Sequence, residues 1–284
     1  FHRKAGMRSA LPPNFPTPGM ATKAKANVSR KAKNKGLLRR APAQEIIYSI
    51  RTINPVPVDL ERIRGPLKEA LSRTFSIAED FTAFQTTVQH PVSEEPVVNT
   101  EKRPMGFRFR KAKGGHVAHF MPDGLVVNWL NADYKGYPES IKTLKRYWKL
   151  YNTHFQPIGV DHLSLRYINQ LLLPLDEQGG LDLQLYIQNN PKAPAIEGLS
   201  FTGFQHFSEL HKMPEGIRTR VMLATLNMQE KHVPMLFDYE AFLSMAEQER
   251  NSEPHLWKTF DRLHTWCGRF FKKTLTDRCH TLFK

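Results

Sequence analysis

The segment between residues 106 and 130 constrains the fold most, because it contains three strand-like stretches joined by tight turns. The strand-like stretches are 106–111, 117–121 and 125–130, and the turns between them are Gly114-Gly115 and Pro122-Asp123-Gly124. Connections this short cannot carry the chain across to a parallel neighbour, whereas they suit antiparallel pairing, and glycine supplies the backbone conformation that such turns need. The segment therefore predicts an antiparallel meander.

Two kinds of periodicity extend this prediction along the chain. Apolar residues at helical spacing predict amphipathic helices over 60–75, 138–155 and 253–273, the first restarting at Pro66. Alternation of apolar and polar residues predicts strands over 46–51, 81–90, 160–174, 201–207, 217–228 and 233–239, and the proline-containing stretch 91–103 predicts a loop. Because strands and helices do not alternate strictly, we predict an α+β fold with mainly antiparallel sheets and three longer amphipathic helices.

The charge is distributed unevenly along the chain. Eleven of the 41 basic residues and none of the 27 acidic residues precede Glu45, so 30 basic residues face 27 acidic ones in the remainder. The formal net charge of +14 therefore belongs mainly to the N-terminal region, whose composition predicts a disordered basic tail over residues 1–43. Met20 is a plausible start, in which case residues 1–19 would be upstream read-through.

The rest of the chain predicts two α+β subdomains, 44–175 and 176–284, or one continuous fold that spans both. An apolar fraction of 40% is enough for a core, and no stretch approaches the roughly 20 apolar residues of a membrane span, so we expect no membrane partner. Two cysteines cannot form a disulfide framework, which predicts a cytoplasmic protein.

The segment 159–169, most of which lies in the predicted strand 160–174, contains a short box formed by Leu165, Arg166, Tyr167 and Asn169. The box resembles the Leu-Arg-Tyr-x-Asn box of a sporadically distributed bacterial family of uncharacterised proteins. Further similar features, in the same order, are Phe107-Arg108-Phe109, Asp123-Gly124, Tyr134, Tyr137, Phe237-Asp238, Leu263-His264 and Phe270. The resemblance covers residues 44–284 and excludes the lysine-rich tail. It implies a bacterial origin and a shared fold, but that family has no established activity and implies no mechanism.

Signatures of common enzyme classes are missing from the sequence. No Walker A loop, Gly-x-Gly-x-x-Gly, Gly-x-Ser-x-Gly or His-Glu-x-x-His motif occurs. The weak catalytic candidates are Asp123, Asp133 and Lys135, since two carboxylates near a lysine could hold Mg²⁺ and orient a water for phosphodiester cleavage. Their alternative is structural, because Pro-Asp-Gly is a favoured turn.

Four zinc-ligand types also occur near the C-terminus, namely His264, Cys267, Cys279 and His280. At 100° per residue, Cys279 would lie about 120° away from Cys267 around a continuous helix, and Cys267 also falls on the apolar stripe. We therefore predict no metal site and no cofactor.

A ligand-binding candidate lies on the strand at 160–170, where His162, Ser164 and Arg166 share one face. Arg166 could grip a carboxylate or phosphate with both arms of its guanidinium group. The alternative is a structural arginine that pairs with a buried carboxylate such as Asp238.

A nucleic-acid-binding candidate is the basic run Lys102, Arg103, Arg108, Arg110, Lys111 and Lys113, which contains no acidic residue. If Phe107 and Phe109 are core residues, the alternating arginines form an exposed basic stripe of the kind that suits phosphate backbones. The alternative is a charged edge strand that resists aggregation.

Together these features predict a non-enzymatic, nucleic-acid-associated accessory protein that contacts phosphates through the tail and residues 102–113. A second hypothesis is a protein-interaction component of a defence or toxin–antitoxin module, with an exposed apolar patch on the Trp257 and Trp266 side of the last helix. A third is a metal-dependent nuclease that uses the candidates Asp123, Asp133 and Lys135.

Overall fold

The computed structural model describes residues 41–54, 57–89, 97–188, 190–191, 203–227, 229 and 231–284, without the side chains of residues 85, 87–89, 97–99 and 103. The strands are β1 (Ala43–Ile53), β2 (Ile77–Gln89), β3 (Val97–Arg110), β4 (His116–Met121), β5 (Gly124–Leu130), β6 (Gly159–Pro174), β7 (Gln205–Lys212), β8 (Ile217–Thr225) and β9 (His232–Ser244). The helices are α1 (Leu60–Leu71), α2 (Tyr137–Phe155), α3 (Glu253–Thr274) and the short α4 (Asp277–Thr281).

The described strands form one nine-stranded sheet in the order β2-β3-β4-β5-β1-β6-β9-β8-β7. All neighbours pair antiparallel. The predicted fold class is confirmed, since the fold is α+β with a large antiparallel sheet and three longer helices. Strands on both sides of residue 175 belong to this sheet.

The two halves of the sheet have a similar connectivity. In the first half β1 and α1 precede the meander β2-β3-β4-β5, the last strand of which returns to pair with β1 before α2 begins. In the second half β6 precedes the meander β7-β8-β9, the last strand of which returns to pair with β6 before α3 begins. Because β1 and β6 pair with each other, the two similar units meet at the centre of the sheet.

Alternation along the strands creates the core on one face of the sheet. Ile46, Tyr48 and Ile50 of β1 are fully buried, and their neighbours in register on β5 and β6 are apolar as well. The Tyr48 ring packs against Phe260 of α3 at a centroid distance of 5.8 Å, and its hydroxyl donates to Ser140 Oγ of α2 at 3.3 Å. The helices cover this face, and we call the opposite face of the sheet the open face.

Several predicted boundaries are wrong. Residues 97–103 form the first half of β3 and not a loop, because β2 supplies ladder partners from Gln89 opposite Val97 onward. A bulge between Phe81 and Thr82 accommodates Pro104 in this ladder. α1 continues through Pro66 without a restart, since that turn lies on the exposed side of the helix.

Some predicted segments fall outside the described residues. Of the predicted tail, residues 1–40 lie outside them, and Ala43 is already the first residue of β1. The same holds for residues 91–96 of the predicted loop and for 201–202 of the predicted strand that becomes β7. No helix in the described ranges has the length and apolar content to cross a bilayer.

Candidate nucleic-acid interface

A row of basic side chains follows the solvent side of α2. Lys142, Lys145, Arg146 and Lys149 are exposed and fall within an arc of about 100° around the helix. The buried side chains of α2, among them Leu144, lie on the opposite side and pack into the core. The sequence determines this arrangement, because the basic residues recur at spacings of three and four between the apolar ones.

A second basic row follows α3, where the members again fall within an arc of about 100°. It consists of Lys258, Arg262, Arg269, Lys272 and Lys273. Four of these side chains are exposed and Arg262 is half-buried, donating from Nη2 to the Glu215 carbonyl at 3.0 Å. The row points away from the sheet, because Phe260, Leu263 and Cys267 on the other side of α3 are buried.

The first half of α2 lies near the first half of α3, and the two helices run antiparallel there. Near the start of α2, Tyr137 stacks on His264 of α3 with ring centroids 4.0 Å apart, and its hydroxyl donates to Asp261 at 2.7 Å. Further along α2, Lys145 Nζ lies 5.2 Å from the ring centroid of Trp257, near the start of α3. These contacts place the two rows on neighbouring parts of the molecule, and we call the two rows together the α2–α3 cationic surface.

The charges of this surface are not balanced locally. Residues 131–158 contain five basic and two acidic residues, and residues 253–284 contain seven basic and three acidic ones. Within the described part of the chain, none of the nine side chains in the two rows forms an ion pair. A surface of this kind attracts polyanions through the release of their counterions.

The open face of the sheet differs, because its charges are paired across the strands. Glu209 of β7, Arg220 of β8, Glu240 of β9 and Arg166 of β6 lie directly opposite one another in register. Arg220 lies 3.4 Å from the Glu209 carboxylate and 3.9 Å from that of Glu240. Charges of alternating sign cancel along this row, so the open face offers little attraction to a polyanion.

The predicted ligand site does not form on this face. Arg166 donates from Nε and Nη2 to the two carboxylate oxygens of Asp238, at 2.8 and 2.5 Å. Asp238 is only 6% exposed, so both arms of the guanidinium group hold a buried carboxylate, as in the structural alternative. Ser164 is buried, and His162 is half-exposed with its Nδ1 3.5 Å from Asp161. The three side chains therefore do not converge on a cleft.

The predicted basic stripe is partly neutralised. Phe107 and Phe109 are buried in the core, and Arg108 and Arg110 lie on the other face. Both arginines bind the Glu79 carboxylate of β2. Arg108 Nε and Arg110 Nη2 each donate to one of its oxygens at 2.7 Å. The two guanidinium groups lower the pKa of Glu79 to about 2. Phe107, Arg108 and Phe109 pair with β4, so the edge-strand alternative is wrong for this part of β3. Residues 97–104 pair only with β2 among the described strands, so Lys102 and Arg103 do lie at an edge.

The remaining members of this stripe are dispersed. Lys102 is exposed on the β2–β3 ribbon, and Lys111 and Lys113 are exposed at the β3–β4 turn. Arg103 belongs to β3, but its side chain is outside the described residues. The stripe therefore does not form one continuous basic surface in the described chain.

The catalytic candidates do not form the two-carboxylate magnesium site. Asp123 precedes β5 and pairs with Arg51, whereas Asp133 follows β5 and accepts a hydrogen bond from the Gly115 backbone N–H at 2.6 Å. A strand of this length separates its ends by about 20 Å, far more than two ligands of one Mg²⁺ allow. Lys135 is exposed near Asp133. The nuclease hypothesis therefore has no pair of carboxylates at these positions that could hold one metal ion.

The four zinc-ligand types make other contacts. The His264 ring stacks on Tyr137 and its Nδ1 lies 3.2 Å from the Tyr167 hydroxyl, while Cys267 is buried with Sγ 3.8 Å from the Leu165 carbonyl. Cys279 is buried in α4, and His280 Nε2 lies 3.2 Å from the Lys272 carbonyl. Among the described residues no group of three or more His, Cys, Asp or Glu side chains could hold a metal ion.

The apolar patch predicted beside Trp257 and Trp266 is also absent from the described surface. Trp257 is buried, and Trp266 is half-buried with its Nε1 donating to Thr219 Oγ1 at 2.8 Å. Both indoles pack within the chain, so they do not offer a contact surface. The predicted contact of the interaction hypothesis was therefore placed on the wrong residues.

Part of the cationic surface could have been found from the sequence. The basic residues of α2 lie off its apolar stripe, and a helical wheel of α3 shows the same segregation. The sequence does not reveal that the two helices are neighbours, because their contact depends on where β5 and β9 bring them. Charge that is spaced by helical turns forms no linear run like the one at 102–113, so it is less visible in the sequence.

Two partly buried histidines of β4 predict a loss of stability in acid. His116 lies between the rings of Phe75 and Trp129 with Nε2 2.6 Å from the Tyr147 hydroxyl, and His119 packs edge-on against Phe81. Burial is the main cause that lowers the pKa of each histidine to about 4. Nearby positive charges act in the same direction, from Lys111 and Arg146 on His116 and from Arg108 on His119.

We therefore expect the free energy of unfolding to fall by about 2 kcal/mol for each histidine as the pH drops from 6.5 to 4. In this window the unfolded chain binds protons that the folded chain excludes, since an unfolded histidine has a pKa of about 6.5. Glu79 contributes little, because its stabilisation is lost mainly below pH 4.5 and only the last half unit of this window lies there. Urea unfolding followed by circular dichroism measures the effect, and the double variant His116→Gln/His119→Gln should show a flatter pH dependence. An unchanged slope in that variant would contradict the assignment.

Comparison of the chain with protein-family models, with curated proteins and with solved structures gives no significant match. The resemblance carried by Leu165, Arg166, Tyr167 and Asn169 therefore stays a prediction. In the structure Arg166 pairs with Asp238, and Asn169 Nδ2 donates to the Phe237 carbonyl at 2.9 Å. Arg166 and Asn169 of the box therefore bind β6 to β9.

Proposed function

We propose that the protein is a cytoplasmic, nucleic-acid-associated accessory protein that contacts phosphate backbones through the α2–α3 cationic surface. The observation that carries the proposal is the set of nine basic side chains on two adjacent helices without ion pairs among the described residues. The basic residues that precede Glu45 add positive charge to the same chain. Contacts of this type supply affinity without base readout, as an accessory role requires.

The dimensions of the surface suit a backbone contact. The basic row of α2 covers residues 142–149 and that of α3 covers 258–273, which correspond to about 10 and 22 Å along the helix axes. Each strand of a duplex places a phosphate about every 3.4 Å along its axis, so several phosphates lie within reach of each row. We expect binding to DNA and RNA duplexes with little sequence preference.

The test is fluorescence anisotropy of a labelled duplex of about 30 base pairs, titrated with the full chain at several salt concentrations. The variant Lys142→Ala/Lys145→Ala/Lys149→Ala removes three cations from one row. At about 0.15 M salt each phosphate contact contributes roughly fivefold in affinity, so we expect a loss of about 100-fold. The slope of log K against log salt should become shallower by about 3.

The matched control is Lys102→Ala/Lys111→Ala/Lys113→Ala, which removes the same charge from the dispersed stripe. Both variants lose three lysines from exposed positions, so a difference in affinity between them cannot come from net charge alone. We expect the control to change the affinity much less than the α2 variant. Absence of binding by the full chain at about 0.05 M salt, or equal losses in both variants, would overturn the proposal.

A further inference from the structure

The edge strand β7 exposes an unusual amount of apolar surface. It pairs with β8 along its whole length and with no other described strand, at the end of the sheet. Phe207 is 62% exposed and Leu210 is 45% exposed, and Met213, directly after the strand, is 75% exposed. Exposed apolar side chains on an edge strand favour pairing with another strand.

The usual features that prevent edge pairing are missing from β7. It contains no proline, and its ladder with β8 has no bulge. Its two charged side chains already bind within the chain, with Glu209 2.6 Å from Arg218 and Lys212 2.5 Å from Glu215. The strand therefore resembles a docking edge more than a guarded one.

We propose that β7 pairs antiparallel with β7 of a second copy of this chain, around a two-fold axis at Leu210. A symmetric pair places the same surface on both subunits, so the strand must be complementary to itself. In this register Leu210 lies opposite the partner's Leu210, Glu209 opposite the partner's His211, and Ser208 opposite the partner's Lys212. The leucine at the axis meets a leucine, and each carboxylate meets an imidazole.

Neighbouring registers are less favourable. Residues directly opposite each other must lie on the same face of the joined sheet, so the register can shift only in steps of two residues. The two-fold axis therefore passes through a residue and not between two residues. An axis at Glu209 would place two carboxylates opposite each other, which destabilises a strand pair. An axis at Ser208 would place Phe207 opposite the partner's Glu209. The axis at Leu210 avoids both, and it extends the sheet of each copy into a single sheet of two copies.

The first test is sedimentation velocity of the full chain from about 1 to about 200 µM. A contact of one short strand is small for a stable interface, so we expect a dimer that forms in the micromolar range, with a mass approaching twice 32.8 kDa. Leu210→Lys places two like charges at the axis and should leave a monomer. Leu172→Lys is the matched control, because Leu172 is 47% exposed on β6, and it should dimerise like the parent.

The second test fixes the register by disulfide formation. Residues directly opposite in an antiparallel pair have Cα atoms 4.5–5.5 Å apart, within the range of a disulfide, so Leu210→Cys should cross-link two copies. Ser208→Cys alone should not, since the two thiols would be about 14 Å apart, whereas Ser208→Cys/Lys212→Cys should. The native Cys267 and Cys279 are buried and should not react under folding conditions.

A chain that stays monomeric to about 200 µM and fails to cross-link through Leu210→Cys overturns the proposal. Cross-linking of Ser208→Cys alone at a higher yield than Leu210→Cys overturns the register. The cysteine series keeps the proposal testable if Leu210→Lys fails to fold, which circular dichroism will show. None of these measurements depends on nucleic-acid binding.

Discussion

Replacement of Arg166 by methionine is expected to lower the free energy of unfolding by about 4 kcal/mol. The change leaves the Asp238 carboxylate, which is 6% exposed, without the two hydrogen bonds from Arg166 Nε and Nη2. Removal of one partner of a buried ion pair costs more than the pair contributes, because the other charge stays buried and uncompensated. Urea unfolding followed by circular dichroism at pH 7 measures the loss.

The double variant Arg166→Met/Asp238→Leu is the control for this prediction. It removes both charges and fills the space with apolar groups, so we expect it to recover most of the lost stability. A loss below about 1 kcal/mol in the single variant would show that Asp238 does not need Arg166. Such a result would contradict the structural role of the Arg166–Asp238 pair.

Substitution of Gly124 by alanine is expected to cost about 3 kcal/mol. Gly124 begins β5 with a φ of +154°, and a Cβ there would lie 2.2 Å from the Ile50 carbonyl oxygen of β1. Since the obstacle is backbone of a central strand, it cannot move aside as a flexible side chain would. Thermal and urea unfolding both measure the loss.

Gly65→Ala is the matched control for Gly124→Ala. Gly65 lies on α1, and a Cβ at this position meets no atom within 4 Å. Alanine is the better helix former, so this variant should gain up to about 1 kcal/mol. Equal effects of the two substitutions would show that close backbone approach does not decide the outcome at Gly124.

The elements that local chemistry determines were predictable from the sequence. The glycine turns at 114–115 and 122–124 defined the meander, and the alternation of residues 160–174 defined β6. The apolar stripes of α2 and α3 gave both helices with nearly correct ends. In each case residues within a few positions of one another carry the signal, so tertiary context was not needed.

The features that depend on distant partners were not predictable in the same way. Residues 97–103 have few apolar signals of their own, and they are extended because β2 offers a ladder. Asp238 was one named partner for Arg166, but only the register of β6 against β9 brings the two side chains together. The α2–α3 cationic surface likewise depends on the adjacency of two helices that are more than 90 residues apart.

The pairing of β1 with β6 has a consequence for synthesis on the ribosome. Tyr48 and Leu165 are paired neighbours, although about 120 positions separate them, so the middle of the sheet cannot close until residues 159–169 have emerged from the exit tunnel. Until then the nascent N-terminal half has an unsatisfied strand edge rich in isoleucine and tyrosine. Folding intermediates with exposed strand edges are prone to aggregation, so late closure of the sheet lengthens the period in which the nascent chain is vulnerable.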